Sequence, residues 1–485
     1  MLAVICKVIS PAVNLCPNTP GKTLVSLSGT HISCPMGFQS YLDRWFSLNE
    51  KGSNVRTELL SGLTTFLTMC YILAVNPLIL SAAGMEKEAV FFATALSAGL
   101  TSILMGMSVN IPVALAPGMG LNAYFVSVVL GSDGAINYQM ALGAVFISGL
   151  IFLILTLTHI RPMLVDAFPE SLKVGIGAGI GLFLIFIGFK SSGILSVVAQ
   201  QAAEPNVTLT QWVVEAGALS SISVILGLAG LILLGIGAVL RWNFSILLTI
   251  AILTVVSLIA GETSIPEASR VWKPRLSTAH VGALDIPGVL ELGILSVIFT
   301  FTFVELFDSF GTLVATLRKA GVRKEEEKKL VGRAMIVDAT GISLGALLGT
   351  STVTAYIESA SGIASGGRTG LSAIVTGLLF LLSLLASGLI LLVPASATAP
   401  VLIFVGMLMF SAVARIDFSR PQHWVPAMLT ILVMPFTYNI ANGISAGVVS
   451  YVLLSFASGE YKKMHWLLWV VFAFIILRFA IGGFH

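Results

Sequence analysis

From Arg56 onward the chain alternates long apolar runs with short polar breaks. Apolar runs of about 18 or more residues with few charges predict membrane-spanning helices. In the first half they predict spans over 57–83, 89–109, 110–130, 138–160, 171–189, 219–240 and 243–260, and a polar loop over 261–287 follows. The second half predicts spans over 290–317, 330–348, 349–367, 369–392, 401–413, 424–438 and 443–456. A further apolar stretch, 466–481, is long enough either to cross or to pack on the rim.

Two of these segments cannot be unbroken helices. The first holds Pro112, Pro117, Gly118 and Gly120 within NIPVALAPGMGLNAYF (Asn110–Phe125), and the second reads GTSTVTAYIESASGIASGG (Gly349–Gly367). Proline removes a backbone donor and glycine frees the backbone, so each predicts an extended piece followed by a half-helix. Inside a membrane such backbone survives only where it lines a cavity. Both breaks are third in their half, and the spans before them share a small-residue pattern, SAGLTSILMG (97–106) and DATGISLGALLG (338–349). Seven is odd, so a duplicated half lies inverted, and matched interruptions point to a transporter's binding site. The expected organisation is an N-terminal cytoplasmic segment (1–55), a first inverted repeat (56–261), a connecting loop (262–288), a second inverted repeat (289–457) and a C-terminal hydrophobic helix (458–485).

Composition agrees. Of 485 residues 56% are hydrophobic and 10% charged, against about 25% charged in soluble chains. The fold class is therefore an all-α polytopic membrane protein. The 47 glycines suit close helix approach. Cys6, Cys16 and Cys34 precede the first span and Cys70 lies within it, in no metal or haem spacing. The first residues form too short and too interrupted an apolar stretch to span, and Met36 is an alternative start. Charge places the N-terminus inside: Arg161, Arg241, Arg415, Lys462, Lys463 and the run RKAGVRKEEEKK (Arg318–Lys329) then all fall on the cytoplasmic side, with Arg270, Lys273 and Arg275 against the trend.

Candidate chemistry centres on FVELFDSFGT (Phe303–Thr312). On a helix Thr302, Glu305, Ser309 and Thr312 share a face, with Asp308 at its edge. A charge near the bilayer centre costs at least about 3 kcal/mol on insertion scales, so this face looks into a polar cavity. Glu305, among apolar residues and without a cation in sequence reach, is a candidate proton carrier, with Asp308 as its neighbour in coupling. Glu358 lies where the second break turns into a half-helix, whose free N–H groups favour a carboxylate's charge. As an acceptor it suits a ligand with adjacent N–H donors. Thr352, in the extended stretch before it, is counted with the substrate-site residues, as is Asn122, whose amide both donates and accepts. Tyr124, Phe125, Phe303 and Phe307 are candidates to stack on a planar ligand, Phe303 foremost. Hydrogen bonding between helices, capping and packing are the structural alternatives for these residues. Arg368 is expected as a topology anchor, and the six histidines sit at span ends or in loops, leaving proton transfer to carboxylates.

The motifs FVELFDSFGTL, GTSTVTAYIESASGIASGGRTGL and ALAPGMGLNAYF together resemble the AzgA-like purine permeases of the nucleobase–cation symporter (nucleobase/ascorbate transporter) families, over about Arg56–Lys463. The resemblance implies about fourteen spans in two inverted repeats, core and gate domains, and short strands in the broken third and tenth spans. It further implies proton-driven import of hypoxanthine, guanine or adenine, with Glu305 and Glu358 as substrate-site acids, Asp308 as a structural or coupling acid and Asn122 as a third-span contact. Glu305 stands where many relatives have Asp, which leaves the choice among purines open. The partners implied are a purine, protons and the bilayer, with room for a homodimer and none for nucleic acid; no cofactor or metal is implied. Another planar nucleobase (uracil or xanthine) or a channel of the same fold are the alternatives. A membrane enzyme would call for an intramembrane HExxH or a GxSxG nucleophile turn, and neither is expected here.

Overall fold

In the computed structural model, described over residues 38–132, 134–158, 167–201, 210–218, 220–242, 244–262, 274–291 and 295–482, the apolar runs become helices and both Pro/Gly breaks begin as strands. Met36, the three N-terminal cysteines, Arg161, Arg270 and Lys273 lie outside these residues. The chain divides into Met1–Tyr41 and Leu42–His485, and all the apolar spans and both breaks belong to the second unit.

The first half runs α1 (Phe38–Phe46), α2 (Val55–Met69), α3 (Ile72–Ser81), α4 (Lys87–Val109), β1 (Leu115–Pro117), α5 (Met119–Leu130), α6 (Tyr138–Leu157), α7 (Glu170–Ser191), β2 (Leu195–Gln201), β3 (Thr210–Ala216), α8 (Ile222–Val239) and α9 (Ser245–Ile259). The second runs α10 (Ile286–Glu291), α11 (Leu295–Lys319), α12 (Lys324–Leu348), β4 (Val353–Ala355), α13 (Ser359–Ala364), α14 (Gly370–Ser383), α15 (Ser387–Ile390), α16 (Ala395–Phe410), α17 (Pro421–Phe436), α18 (Ile440–Ala457) and α19 (Trp466–Gly482). Ten helices among the described residues are long and apolar enough to cross a membrane, counting α2 with α3 as Val55–Ser81.

Glycine decides which helices meet. Hydrocarbon surrounds all of them, so close van der Waals approach, not burial from water, selects partners. α4 packs along α14 through two glycine pairs: a Cβ at Gly106 would stand 2.4 Å from the Gly370 carbonyl oxygen, and one at Gly377 2.6 Å from that of Gly99. The same device joins α7 to α16, where a Cβ at Gly406 would lie 2.6 Å from the Gly181 oxygen. α2 packs on α14 and α3 on α4, while α17 and α18 join α7.

Several expectations change. The first span is interrupted at Cys70–Tyr71, between α2 and α3. The ninth begins at Lys324, not 330, because Glu325, Glu326 and Glu327 occupy a first helical turn that favours acids; with Arg318 and Lys319 closing α11, only 320–323 of the charge run lie outside helices. Arg318 clasps Glu327 with two bonds, 3.0 and 3.1 Å, across the turn. An antiparallel hairpin, β2–β3, lies between α7 and α8 where no element was expected. The stretch 466–481 is helical, and its apolar part is among the shorter helices, below the length of the ten.

Candidate functional site

The two broken segments meet. β1 and β4 pair antiparallel, with Leu115 opposite Ala355, Ala116 opposite Thr354 and Pro117 opposite Val353. Beyond the pair, Gly118 N–H donates to the Thr352 oxygen (2.9 Å) and Tyr356 N–H to that of Ala114 (3.1 Å). Tyr356 also donates its hydroxyl to the Pro117 oxygen at 2.5 Å. Glycine is needed at 118, because a Cβ there would come within 2.8 Å of Thr354 Cγ2. Short strands thus satisfy backbone groups that hydrocarbon could not, and each hands the chain to a helix start, α5 and α13.

α11 turns its polar face toward this crossing. Glu305 is 1% exposed and Ser309 fully buried. Ser309 Oγ donates to Glu305 Oε1 (3.2 Å) and bonds Thr354 Oγ1 (2.7 Å), which fixes helix to strand. Glu305 Oε2 and Thr352 Oγ1 are buried without a partner among the described residues. Asp308 is half-buried at the face's edge, within electrostatic reach of Glu305, Tyr356 and Glu358. The buried Asp338 of α12 lies within the same reach of Glu305. Thr302 spends its hydroxyl on the Ile298 carbonyl (2.9 Å).

Glu358 sits at the turn from β4 into α13, as the sequence predicts. Its side chain does not cap that helix, which is only six residues long; Oε1 instead accepts the hydroxyl of Tyr71, 2.6 Å away. A helix dipole therefore has less part in holding this carboxylate than the sequence suggests, and a tyrosine has more.

Asn122 takes a different place. Its Nδ2 donates to Asn76 Oδ1 (2.5 Å) and its Oδ1 accepts from Ser351, while Asn76 Nδ2 donates to Thr94 (2.7 Å) and Thr350 (2.8 Å). The amide is fully buried in a network that ties α3, α4, α5 and the segment before β4 together, the structural alternative named above. Phe303 is 4% exposed and lies between Phe168 (4.7 Å, edge-on) and Phe299 (5.4 Å, stacked). It lines a largely apolar cleft of about 190 Å³ with Phe152, Thr302, Leu306 and Phe474. Tyr124 packs edge-on against Phe301 (4.9 Å), and the Phe307 side chain lies outside the described residues. Arg368 closes the end of α13, donating Nη1 to the oxygens of Ile363 (2.9 Å) and Gly367 (2.8 Å).

Sequence reasoning missed Tyr71, Asn76 and Glu58. Each is a polar side chain inside the first span, the signal that marks function or a buried bond. Glu58 is structural: it accepts the backbone N–H groups of Arg368 (2.9 Å) and Thr369 (3.2 Å) and the Ser372 hydroxyl, covering the start of α14. The string GxSxG does occur twice, at Gly341–Gly345 and Gly443–Gly447. Both lie inside helices, α12 and α18, with no strand-to-helix turn to expose the serine. No group of three or more His, Cys, Asp or Glu among the described residues is placed to hold a metal ion.

Known proteins share both sequence and fold. Residues 56–446 match the profile of the xanthine/uracil permeases (Permease family). The adenine permease AdeQ of Escherichia coli is 41% identical over 438 residues, 90% of this chain and 96% of that protein. The guanine/hypoxanthine permease PbuG of Bacillus subtilis is 42% identical over 445 residues, 90% of this chain and 98% of that one. In fold the chain is similar to the transmembrane domain of the cyanobacterial bicarbonate transporter BicA (TM-score 0.58, 16% identity, covering 81% of this chain and 97% of that one). It is also similar to the murine Solute Carrier 26 family member A9 anion transporter in its inward-facing state (TM-score 0.59, 11% identity, 94% and 75% covered). With its apolar helices and crossed broken segments, this chain is a multi-pass permease of the cell membrane and belongs to the xanthine/uracil permease family.

Proposed function

We propose that this permease imports purine nucleobases (hypoxanthine, guanine and adenine) by proton symport, with Glu358 as the substrate's acceptor and Glu305 as the proton's carrier. The observation that carries this reading is the placement of Glu305 and Glu358 at the strand crossing, with Glu305 Oε2 and Thr352 Oγ1 buried and unpartnered among the described residues. An unmade hydrogen bond in a buried site costs about 1–3 kcal/mol, and such groups call for a functional explanation. A purine edge with adjacent N–H groups matches a carboxylate, and the names of the two relatives, adenine and guanine/hypoxanthine permease, support that class. Fourteen segments in two inverted sevens, divided into core and gate, belong to the same reading; strands contributed by opposite halves and repeated glycine pairing support it.

Uptake of radiolabelled hypoxanthine, guanine and adenine into cells expressing the chain tests it, with uracil and xanthine as competitors. Accumulation should collapse with a protonophore and be indifferent to sodium. Sodium dependence with protonophore insensitivity would remove the proton, and preferential competition by uracil would remove the purine. Flux that never exceeds equilibrium would favour a channel.

A further inference from the structure

Tyr71 is 2% exposed and belongs to the main apolar core. It comes from the junction of α2 and α3, yet its hydroxyl reaches a carboxylate 287 residues away. A glutamate has three side-chain torsions to fix. A tyrosine ring has two, and packing holds this one still. The 2.6 Å bond to Oε1 is in the range of a charge-assisted O–H to carboxylate contact. It occupies one lone pair of Oε1 and leaves Oε2 to other donors.

We propose that Tyr71 is a positioning residue for substrate binding: its hydroxyl anchors Glu358 through Oε1, so that the carboxylate presents Oε2 and its outer edge to the N–H donors of a purine. The assignment rests on the purine reading above. It joins the two halves of the chain at the binding step, since the anchor lies on the first span and the anchored acid beyond β4.

The test is a double-mutant cycle on purified protein, with dissociation constants for hypoxanthine, guanine and adenine and transport kinetics in proteoliposomes. Tyr71→Phe removes only the hydroxyl and should weaken binding about tenfold, appearing in KM with the maximal rate retained. In a Glu358→Gln background the same change should cost less than about twofold, because the carboxylate it acts through is gone. A tyrosine that merely packs would give equal losses in both backgrounds, or none in either, and each result overturns the assignment. Should Tyr71→Phe not fold, 3,5-difluorotyrosine at position 71 keeps ring and hydroxyl while making the donor more acidic; an unchanged pH profile of binding would then overturn it. A wild type that binds no purine removes the substrate reading and this assignment with it, whereas an additive cycle in a wild type that binds removes the assignment alone.

Discussion

Glu305 and Glu358 differ in what holds them. Glu358 accepts a tyrosine hydroxyl and is half-buried; Glu305 is shut in, with one oxygen on Ser309 and the other on no described residue. Glu358→Gln puts an N–H where an acceptor stood, against the substrate's donors and against Tyr71. Loss of such a charge-assisted contact should cost about 2–4 kcal/mol, roughly 30- to 1,000-fold in affinity, read as equilibrium purine binding; affinity within threefold of wild type would end that role. Glu305→Gln imitates a permanently neutral acid. It should still bind purine and run counterflow exchange, but it should fail to accumulate purine against an imposed pH gradient in the same proteoliposomes. Normal gradient-driven accumulation would move the proton elsewhere, first to Asp308. Of these residues the two acids were legible in sequence, because carboxylates in apolar runs announce themselves. Tyr71 and Asn76 were not, because a hydroxyl or amide reveals its role only through its partner.

Among the elements, α4 and α14 meet backbone to backbone. Gly106 and Gly370 face each other so closely that a Cβ on either meets the other's backbone, at 2.4 and 2.1 Å, and backbone cannot step aside as a flexible side chain can. Gly106→Ala should therefore destabilise by about 1–3 kcal/mol, the range for overpacking. Gly235 in α8 has open space where its Cβ would go, so Gly235→Ala should leave stability unchanged or raise it slightly. Thermal unfolding in detergent of the two variants separates these outcomes, and equal midpoints would show that the pairing carries no energy. The small-residue pattern before each break was visible in sequence; which helix each glycine meets was not.

Across the whole molecule, the segment 274–285 ties the halves together on one side. Gly282 N–H donates to the Leu347 oxygen (2.7 Å), Asp285 N–H to that of Gln139 (3.1 Å) and Arg275 N–H to Ser387 Oγ (2.7 Å). His280, 4% exposed, is its pin: Nε2 accepts the Glu86 N–H (2.9 Å), the ring stands edge-on to Tyr138 (5.1 Å), and the backbone rests on Gly349, held at φ +96. An accepting Nε2 leaves the proton on Nδ1, so this latch needs neutral imidazole. Burial lowers the His280 pKa from its ordinary 6.5, with the Glu86 carboxylate opposing. A depressed histidine pKa contributes stability that is present above 6.5 and lost as pH falls through the folded value. Wild type should therefore lose thermal stability between about pH 7.5 and about 5.5 more steeply than His280→Gln, which accepts without titrating. Parallel profiles would rule the latch out.

Apolar run length, proline and glycine placement and buried charge are local properties, so the sequence alone determined that this is a polytopic membrane protein, where its two breaks fall and which acids lie beside them. Partner choice is not local. The bonds from Tyr71 to Glu358, from Ser351 to Asn122 and from Arg368 to Glu58 span 287, 229 and 310 residues, and nothing in an apolar run says which other run it will meet. Only the tertiary structure decided that the breaks cross as paired strands, that Asn122 bonds into a buried amide network and Phe303 packs in an aromatic cluster, and that a tyrosine from the first span bonds the acid of the second half. Hydrocarbon leaves no water to satisfy a polar group, so each must find a partner wherever packing brings one.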